Sequence, residues 1–177
     1  MPESRIILEY RDTIDPDVHQ ILPKCPLDRA DNRFWATYYT LITCGILSMV
    51  KSGNLCPLYE ELRQTPGKEG KEAVKKQFYE VSELLEGAFM KMSNGKAFFG
   101  GDNICYLDLV LGSLIPLTEF IEEINNFKVF DEVRTPGLAR WAKCVHSNEA
   151  IKSVFPGKET LVDFYAMLHM AKPPRAV

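Results

Sequence analysis

The sequence predicts an all-α fold, a bundle of roughly five to seven helices. Three observations support this prediction. Apolar residues recur every three or four positions, and the clearest stripe runs from Val74 to Met92. Helix start and stop signals such as Pro66-Gly67 separate the stripes. No segment alternates convincingly between apolar and polar residues, and no hairpin signal is present.

The first predicted helix covers residues 3–12, where Ile6, Ile7 and Tyr10 form one apolar stripe. A helix this short is marginal alone because its nucleation is costly. We therefore expect these three side chains to pack against a sheet or against the rest of the bundle.

The second predicted helix begins at Pro26, which suits the first helical position, with Asp28 placed as a capping-box acid. It extends to Ser52, where Ser-Gly-Asn is a stop signal. Residues 34–50 form an uncharged stretch whose length is at the lower limit for a membrane span. The Thr, Tyr and Ser residues within this stretch favour a buried core helix instead.

The later helices follow from the same signals. Thr135 is expected to cap the helix that opens at Pro136. Pro116 is expected to bend or interrupt the central helix, because its ring removes a hydrogen-bond donor and clashes with the preceding turn. In chain order, these helices run from Pro66-Gly67 to Asn94-Gly95, from Tyr106 through Pro116, from Pro136, over residues 149–154 and over residues 159–170.

Charge and composition restrict the class of partner. The formal net charge is -3 and both signs are interspersed, so neither nucleic acid nor a membrane is expected as a partner. Five cysteines without a Cys-x-x-Cys pair indicate a reducing compartment, and we expect a cytoplasmic location. Charges throughout residues 1–15 argue against a signal peptide.

The residues themselves indicate no catalytic, metal-binding or phosphate-binding motif. The three histidines lack ligand spacing, so no metal site is expected. Gly100-Gly101 is a turn and not a phosphate-binding loop. The adjacent acids Glu122 and Glu123, and Glu86 on the long helix, are expected on the solvated surface. These features alone indicate a helical domain without an assigned activity.

Four segments, taken together, resemble the plant tau class of cytosolic glutathione transferases, and the resemblance covers essentially the whole chain. The segments are ESRIILEY at residues 3–10, PLDRADNRFWA at 26–36, FFGGDNICYLDL at 98–109 and TPGLARWA at 135–142.

The resemblance implies two units. Residues 1–15 correspond to the final helix of a truncated thioredoxin-like domain, and residues 16–177 to the all-helical C-terminal domain. Glu3 and Ser4 match the family's glutathione-contacting pair, although Ser4 alone also reads as a simple helix cap. The family's catalytic serine has no counterpart here, so no catalytic residue is assigned, and glutathione is expected as a weakly bound or lost co-substrate.

The resemblance also implies a hydrophobic pocket for the electrophile, built where three helices meet. The alternative for each of its residues is an ordinary core position. The expected pocket residues are Tyr38, Ile42, Leu117, Phe164 and Leu168.

Two cysteines occupy expected helix caps, Cys25 before Pro26 and Cys105 three residues before Asp108. A thiol is a weak acceptor, so both caps are expected to be weaker than the usual Ser or Asp. A helix N-terminus can also lower a thiol pKa, which makes both cysteines candidates for reactivity.

Three functions remain open from the sequence. The chain is a tau-class transferase with little or no conjugating activity of its own, a non-catalytic carrier of apolar ligands or regulator of a full-length transferase, or a purely structural module. Expected partners are hydrophobic small molecules and a homodimer or heterodimer with a full-length family member.

Overall fold

The structure, a computed structural model, describes residues 4–14, 20–44 and 57–170. These residues form helices and no strand, apart from an isolated antiparallel bridge between Phe98 and Gly101. The all-α prediction is therefore confirmed for this part of the chain. Its helices are α1 (Ser4–Ile14), α2 (Pro26–Cys44), α3 (Pro57–Gln64), α4 (Lys68–Ser93), α5 (Tyr106–Gly112), α6 (Ile115–Asn125), α7 (Pro136–Ser147), α8 (Glu149–Lys152) and α9 (Lys158–Met170).

Helix α1 packs on the bundle through the face opposite to the predicted one. Ile6, Ile7 and Tyr10 are 67%, 60% and 63% exposed, so the expectation that this stripe packs on the bundle is wrong among the described residues, while packing against a sheet stays a prediction. Leu8 packs against the core instead, and Asp12 accepts hydrogen bonds from the N–H groups of residues 21 and 22. Polar anchors, which an apolar pattern does not indicate, decide which face of this helix turns inward.

Helix α2 begins at Pro26 as predicted, because the Arg29 N–H donates to the Cys25 carbonyl at 3.0 Å. The predicted continuation to Ser52 lies outside the described residues. Helix α3 was not expected from the sequence, because its eight residues are too few for a clear periodic pattern. In the part of the chain described, no helix is long and apolar enough to cross a membrane.

Helix α4 confirms the strongest periodic prediction. It begins after Gly67 and ends at Asn94, which adopts the left-handed conformation with φ 51°. Its stripe of Val74, Phe78, Val81, Leu85 and Ala88 is buried, and Met92 packs on the same core.

Pro116 interrupts the central helix completely, which confirms the stronger of the two expectations. Helix α5 ends at Gly112, and α6 restarts at Ile115 with the proline in its first turn. Since the missing N–H falls where no intrahelical partner exists, the proline is accommodated at little cost.

Two hydrophobic clusters form the core on either side of this break. The first cluster gathers side chains of α2, α4, α5 and α7 around the fully buried Trp141. The second cluster gathers side chains of α3, α4 and α6 around Phe78 and Phe127. Ile42 and Phe130 pack against both clusters.

Helix α7 begins at Pro136 as predicted, but its cap comes from another helix. Thr135 occupies the cap position, but its side chain makes no cap hydrogen bond to the helix, and its hydroxyl accepts from the Asp131 N–H. The free N–H groups of Gly137 and Leu138 instead donate to the two carboxylate oxygens of Glu86, each at 2.8 Å. Glu86 therefore joins α4 to α7, and its expected place on the solvated surface is wrong.

Glu122 is also not a surface acid. It is 5% exposed and accepts hydrogen bonds from the N–H groups of Val129 and Phe130 and from the Lys128 ammonium. The hydrogen bond from the Lys128 ammonium to Glu122 is the main reason that the pKa of Lys128 is raised. Glu123, by contrast, is exposed as predicted and pairs with Lys158 of α9.

Candidate functional site

The predicted site residues fall into three groups. Glu3 lies outside the described residues, and Ser4 begins α1 without a described side chain. Phe164 and Leu168 lie within α9, but their side chains are outside the described set. Tyr38, Ile42 and Leu117 are described with their surroundings.

Tyr38 belongs to an aromatic group on α2. Its ring stacks on Phe34 with a centroid separation of 5.7 Å and meets Trp35 edge-on at 5.6 Å. Phe34 is exposed while Trp35 and Tyr38 are half-buried. The group therefore presents aromatic surface to solvent next to the first hydrophobic cluster.

Ile42 and Leu117 lie against the same cluster. Ile42 is one helical turn beyond Tyr38, and it reaches the second cluster, on which Leu117 of α6 also packs. Leu161, the half-buried residue of α9, packs there as well. Side chains of α2, α6 and α9 thus converge on the second cluster.

Helices α6 and α9 border a cleft of about 370 Å³ near this junction. Its apolar lining includes Pro116, Phe120, Phe155 and Leu161, while Glu123 and Lys158 form part of its polar rim. Leu117 is one residue from this lining, so the placement of the predicted pocket residues around one cavity stays a prediction.

The two cap cysteines have different environments. Cys105 is 6% exposed, its thiol donates to the Asn32 side-chain oxygen, and burial, followed by the charge of Asp108, raises its pKa. Reactivity of Cys105 is therefore disfavoured, because the thiolate is the nucleophile. Cys25 is exposed.

Asp108 confirms its predicted role as the acid of the capping box. Its carboxylate accepts the Cys105 N–H at 2.8 Å. It also accepts from the N–H groups of Phe99 and Gly100 and from the indole N–H of Trp141. Since Asp108 is fully buried, these four donors replace water as the partners of its charge.

Helices α1 and α2 meet through polar side chains. The Arg5 guanidinium donates to the Thr37 hydroxyl at 2.8 Å, and Arg33 pairs with Glu9 at 2.6 Å. These residues and Tyr106 border a further cleft of about 480 Å³. Among the described residues, no group of three His, Cys, Asp or Glu side chains is placed to hold a metal ion.

The sequence reasoning missed this cleft because its residues come from three separate helices. A signal exists in the spacing, since Arg5 and Glu9 share one face of α1 while Arg33 and Thr37 share one face of α2. Such i,i+4 pairs indicate two polar faces but do not say that the faces meet.

Comparison with known proteins identifies relatives along nearly the whole chain. Glutathione S-transferase U17 of Arabidopsis thaliana is 38% identical over 164 residues, covering 92% of this chain and 66% of the relative. Glutathione S-transferase U16 of the same plant is 33% identical over 172 residues, covering 95% and 67%. The chain spans about two thirds of the length of these curated relatives. No family model matches.

Solved structures agree with these relatives. The tau-class glutathione S-transferase MiGSTU from mango, Mangifera indica, superposes with a TM-score of 0.78 at 36% identity, covering 94% of this chain and 70% of that chain. Rice GST1 (OsGSTU1), solved in complex with glutathione, gives a TM-score of 0.73 at 25% identity, with 95% and 70% covered. On the identity and coverage of these relatives, the chain belongs to the tau class of the glutathione S-transferase family.

Proposed function

We propose that residues 16–177 form the helical, electrophile-binding unit of a tau-class glutathione transferase, and that residues 1–15 belong to its glutathione-binding unit. The observation that carries this proposal is the convergence of Ile42, Leu117 and Leu161, from three helices, on the second cluster. A mostly apolar site of this kind suits varied hydrophobic compounds. Tyr38, Phe164 and Leu168 complete the proposed pocket.

We further propose that these 177 residues alone conjugate glutathione slowly. Glu3 and Ser4 are the positions that match the family's glutathione contacts, and no serine of this sequence matches the family's catalytic one. Without a hydroxyl that favours the thiolate, the glutathione thiol remains mostly protonated and therefore weakly nucleophilic at neutral pH.

A conjugation assay tests this proposal. The purified chain is mixed with glutathione and 1-chloro-2,4-dinitrobenzene, and the rate is compared with the uncatalysed reaction and with a full-length tau-class enzyme. We expect a rate close to the uncatalysed one. Turnover comparable to that of the full-length enzyme would refute slow conjugation.

The pocket is tested separately by ligand binding, which does not depend on conjugation. A neutral apolar fluorescent dye, Nile red, is expected to bind, and Leu117→Ala is expected to weaken its binding several-fold. Leu109→Ala is the matched control, since Leu109 is a half-buried leucine of the neighbouring helix that packs on the first cluster. Equal effects of the two variants would argue against a pocket at Leu117.

The second candidate function is a non-catalytic binder of apolar ligands or a regulator of full-length transferases. The exposed aromatic surface of Phe34 and Tyr38 favours it, because such a surface binds without any catalytic group. Dye binding without conjugation by the chain alone is expected of both candidates, whereas the absence of both leaves a structural module.

Association and location complete the proposal. We propose a homodimer, or a heterodimer with a full-length relative, because Ile7 and Ile14 of α1 are exposed and offer apolar surface. Sedimentation of the chain alone and mixed with such a relative measures this. We also propose a cytoplasmic location, in keeping with the free thiols of Cys25, Cys105 and Cys144, which imaging of a fluorescent fusion tests.

A further inference from the structure

The cleft between α1 and α2 has the features of a ligand site separate from the proposed electrophile pocket. It encloses about 480 Å³, which is within the range of small-molecule sites. Ile6 and Tyr10 supply apolar walls on α1, and Tyr106 closes the cleft from the start of α5.

The charges in this cleft do not balance. Arg33 and Glu9 form a two-pronged ion pair, with nitrogen–oxygen distances of 2.6 to 3.2 Å, so each largely neutralises the other. Arg5 donates to the Thr37 hydroxyl, and no carboxylate within the described ranges lies at ion-pair distance from it. The half-buried Arg5 guanidinium therefore retains donors without an anionic partner among the described residues.

Tyr106 provides a second hydrogen-bond donor at this cleft. The residue is 2% exposed, and it borders the cleft. Its backbone N–H donates to Ile21, whereas its hydroxyl has no hydrogen-bond partner in the described part of the chain. Burial and the charge of Glu9 raise the pKa of Tyr106, while Arg5 and Arg33 oppose this rise, so the hydroxyl lies among these charged groups and remains a donor.

We propose that this cleft binds a small monocarboxylate with an aromatic body. The Arg5 guanidinium would hold the carboxylate through paired N–H donors, and the Tyr106 hydroxyl would donate a further hydrogen bond to it. Ile6 and Tyr10 would contact the aromatic body. A phosphate dianion fits less well, because a single unpaired guanidinium faces it and Glu9 repels a second negative charge.

Titration calorimetry with the full 177-residue chain tests the proposal, with 4-phenylbutyrate as the probe. We expect one-to-one binding that weakens with added salt. The neutral analogue 4-phenylbutanamide is expected to bind with an affinity lower by roughly tenfold or more, because it cannot form the charge-assisted hydrogen bonds. Acid and amide of equal affinity, or no binding of the acid at millimolar concentration, would overturn the proposal.

Variants locate the site. Arg5→Met and Tyr106→Phe are each expected to weaken binding of the acid by roughly tenfold. Arg11→Met is the matched control, because it removes the same charge from α1 outside the cleft and should bind like the unaltered chain. Circular dichroism checks that each variant is folded. If Arg5→Met is unfolded, the result for Tyr106→Phe decides the test, since this substitution removes only a hydroxyl. Unchanged affinity in Tyr106→Phe contradicts the assignment.

Glutathione also carries carboxylates, so a competition experiment separates the two ligands. An excess of glutathione is expected to leave the affinity for 4-phenylbutyrate unchanged. Displacement would assign the cleft to the tripeptide and contradict a site for aromatic monocarboxylates. Because this readout is binding at α1 and α2, it is independent of dye binding at Leu117 and of conjugation.

Discussion

At the scale of single residues, the buried Asp108 carboxylate accepts four hydrogen bonds from described residues. It accepts hydrogen bonds from N–H groups of the turn that precedes α5, of the start of α5 itself and of the Trp141 indole on α7. The carboxylate thereby joins the turn and the start of α5 to Trp141, which lies 33 residues further along the chain. Its removal leaves buried donors without acceptors, which costs more than the hydrogen bonds themselves contribute.

We expect Asp108→Ala to lower the free energy of unfolding by about 3 kcal/mol or more, because several buried donors lose their partner at once. Asp102→Ala is the matched control, since this exposed aspartate of the same segment makes a surface ion pair with Lys96, and its loss should cost less than about 1 kcal/mol. Urea unfolding followed by circular dichroism measures both. Similar losses in the two variants would show that the buried network contributes little.

The cysteines give a second prediction at this scale. Iodoacetamide at neutral pH is expected to label Cys25 in the folded chain and to leave Cys105 unmodified, because Cys105 is buried and its pKa is raised. Labelling of Cys105 should rise after unfolding in urea, which removes the burial. Mass spectrometry of peptides from both samples provides the measurement, and rapid labelling of folded Cys105 would contradict the structure.

At the scale of helices, the junction of α4 and α7 depends on one carboxylate. Glu86→Ala is expected to destabilise the fold by about 1 to 2 kcal/mol, because two N–H groups at the start of α7 lose their acceptor. Glu83→Ala, one turn earlier on α4, removes an exposed ion pair with Arg134 and should cost below about 1 kcal/mol. Thermal unfolding of both variants compares them directly, and equal melting temperatures would rule out the cap.

Most helices could be predicted from the sequence because each carries its own periodic stripe or stop signal. The stripe of α4 and the break at Pro116 depend on residues close in the chain, and both predictions are confirmed. The inward face of α1 and the role of Glu86 depend on partners 9 to 52 residues away, which local patterns do not contain. The same reason explains why the cleft of Arg5 and Tyr106 is visible only in the folded chain.

The family resemblance, unlike local patterns, grouped residues from different helices. It named Ile42 and Leu117 from different helices, and the structure packs both on the second cluster. It did not indicate that α9 touches this cluster through Leu161, which lies one turn before the residues that the resemblance named in that helix.

At the scale of the whole molecule, the core and the last helix differ in burial. The described side chains of α9 from Lys158 to Asp163 are exposed except for half-buried Leu161, whereas α5 is almost entirely buried. Amide hydrogen exchange is therefore expected to be faster for residues 161–163 than for α5. Mass spectrometry of exchanged peptides measures the difference, and equal protection would contradict this ranking.

The position of Ile42 between the two clusters has a thermodynamic consequence for any ligand that binds against it. Such a ligand contacts a side chain that packs against both hydrophobic clusters. By mass action, a ligand at one hundred times its dissociation constant adds about 2.7 kcal/mol to the free energy of unfolding of the state that binds it. Because the binding-competent state needs both clusters intact, ligand occupancy at Ile42 links their melting into one sharper transition.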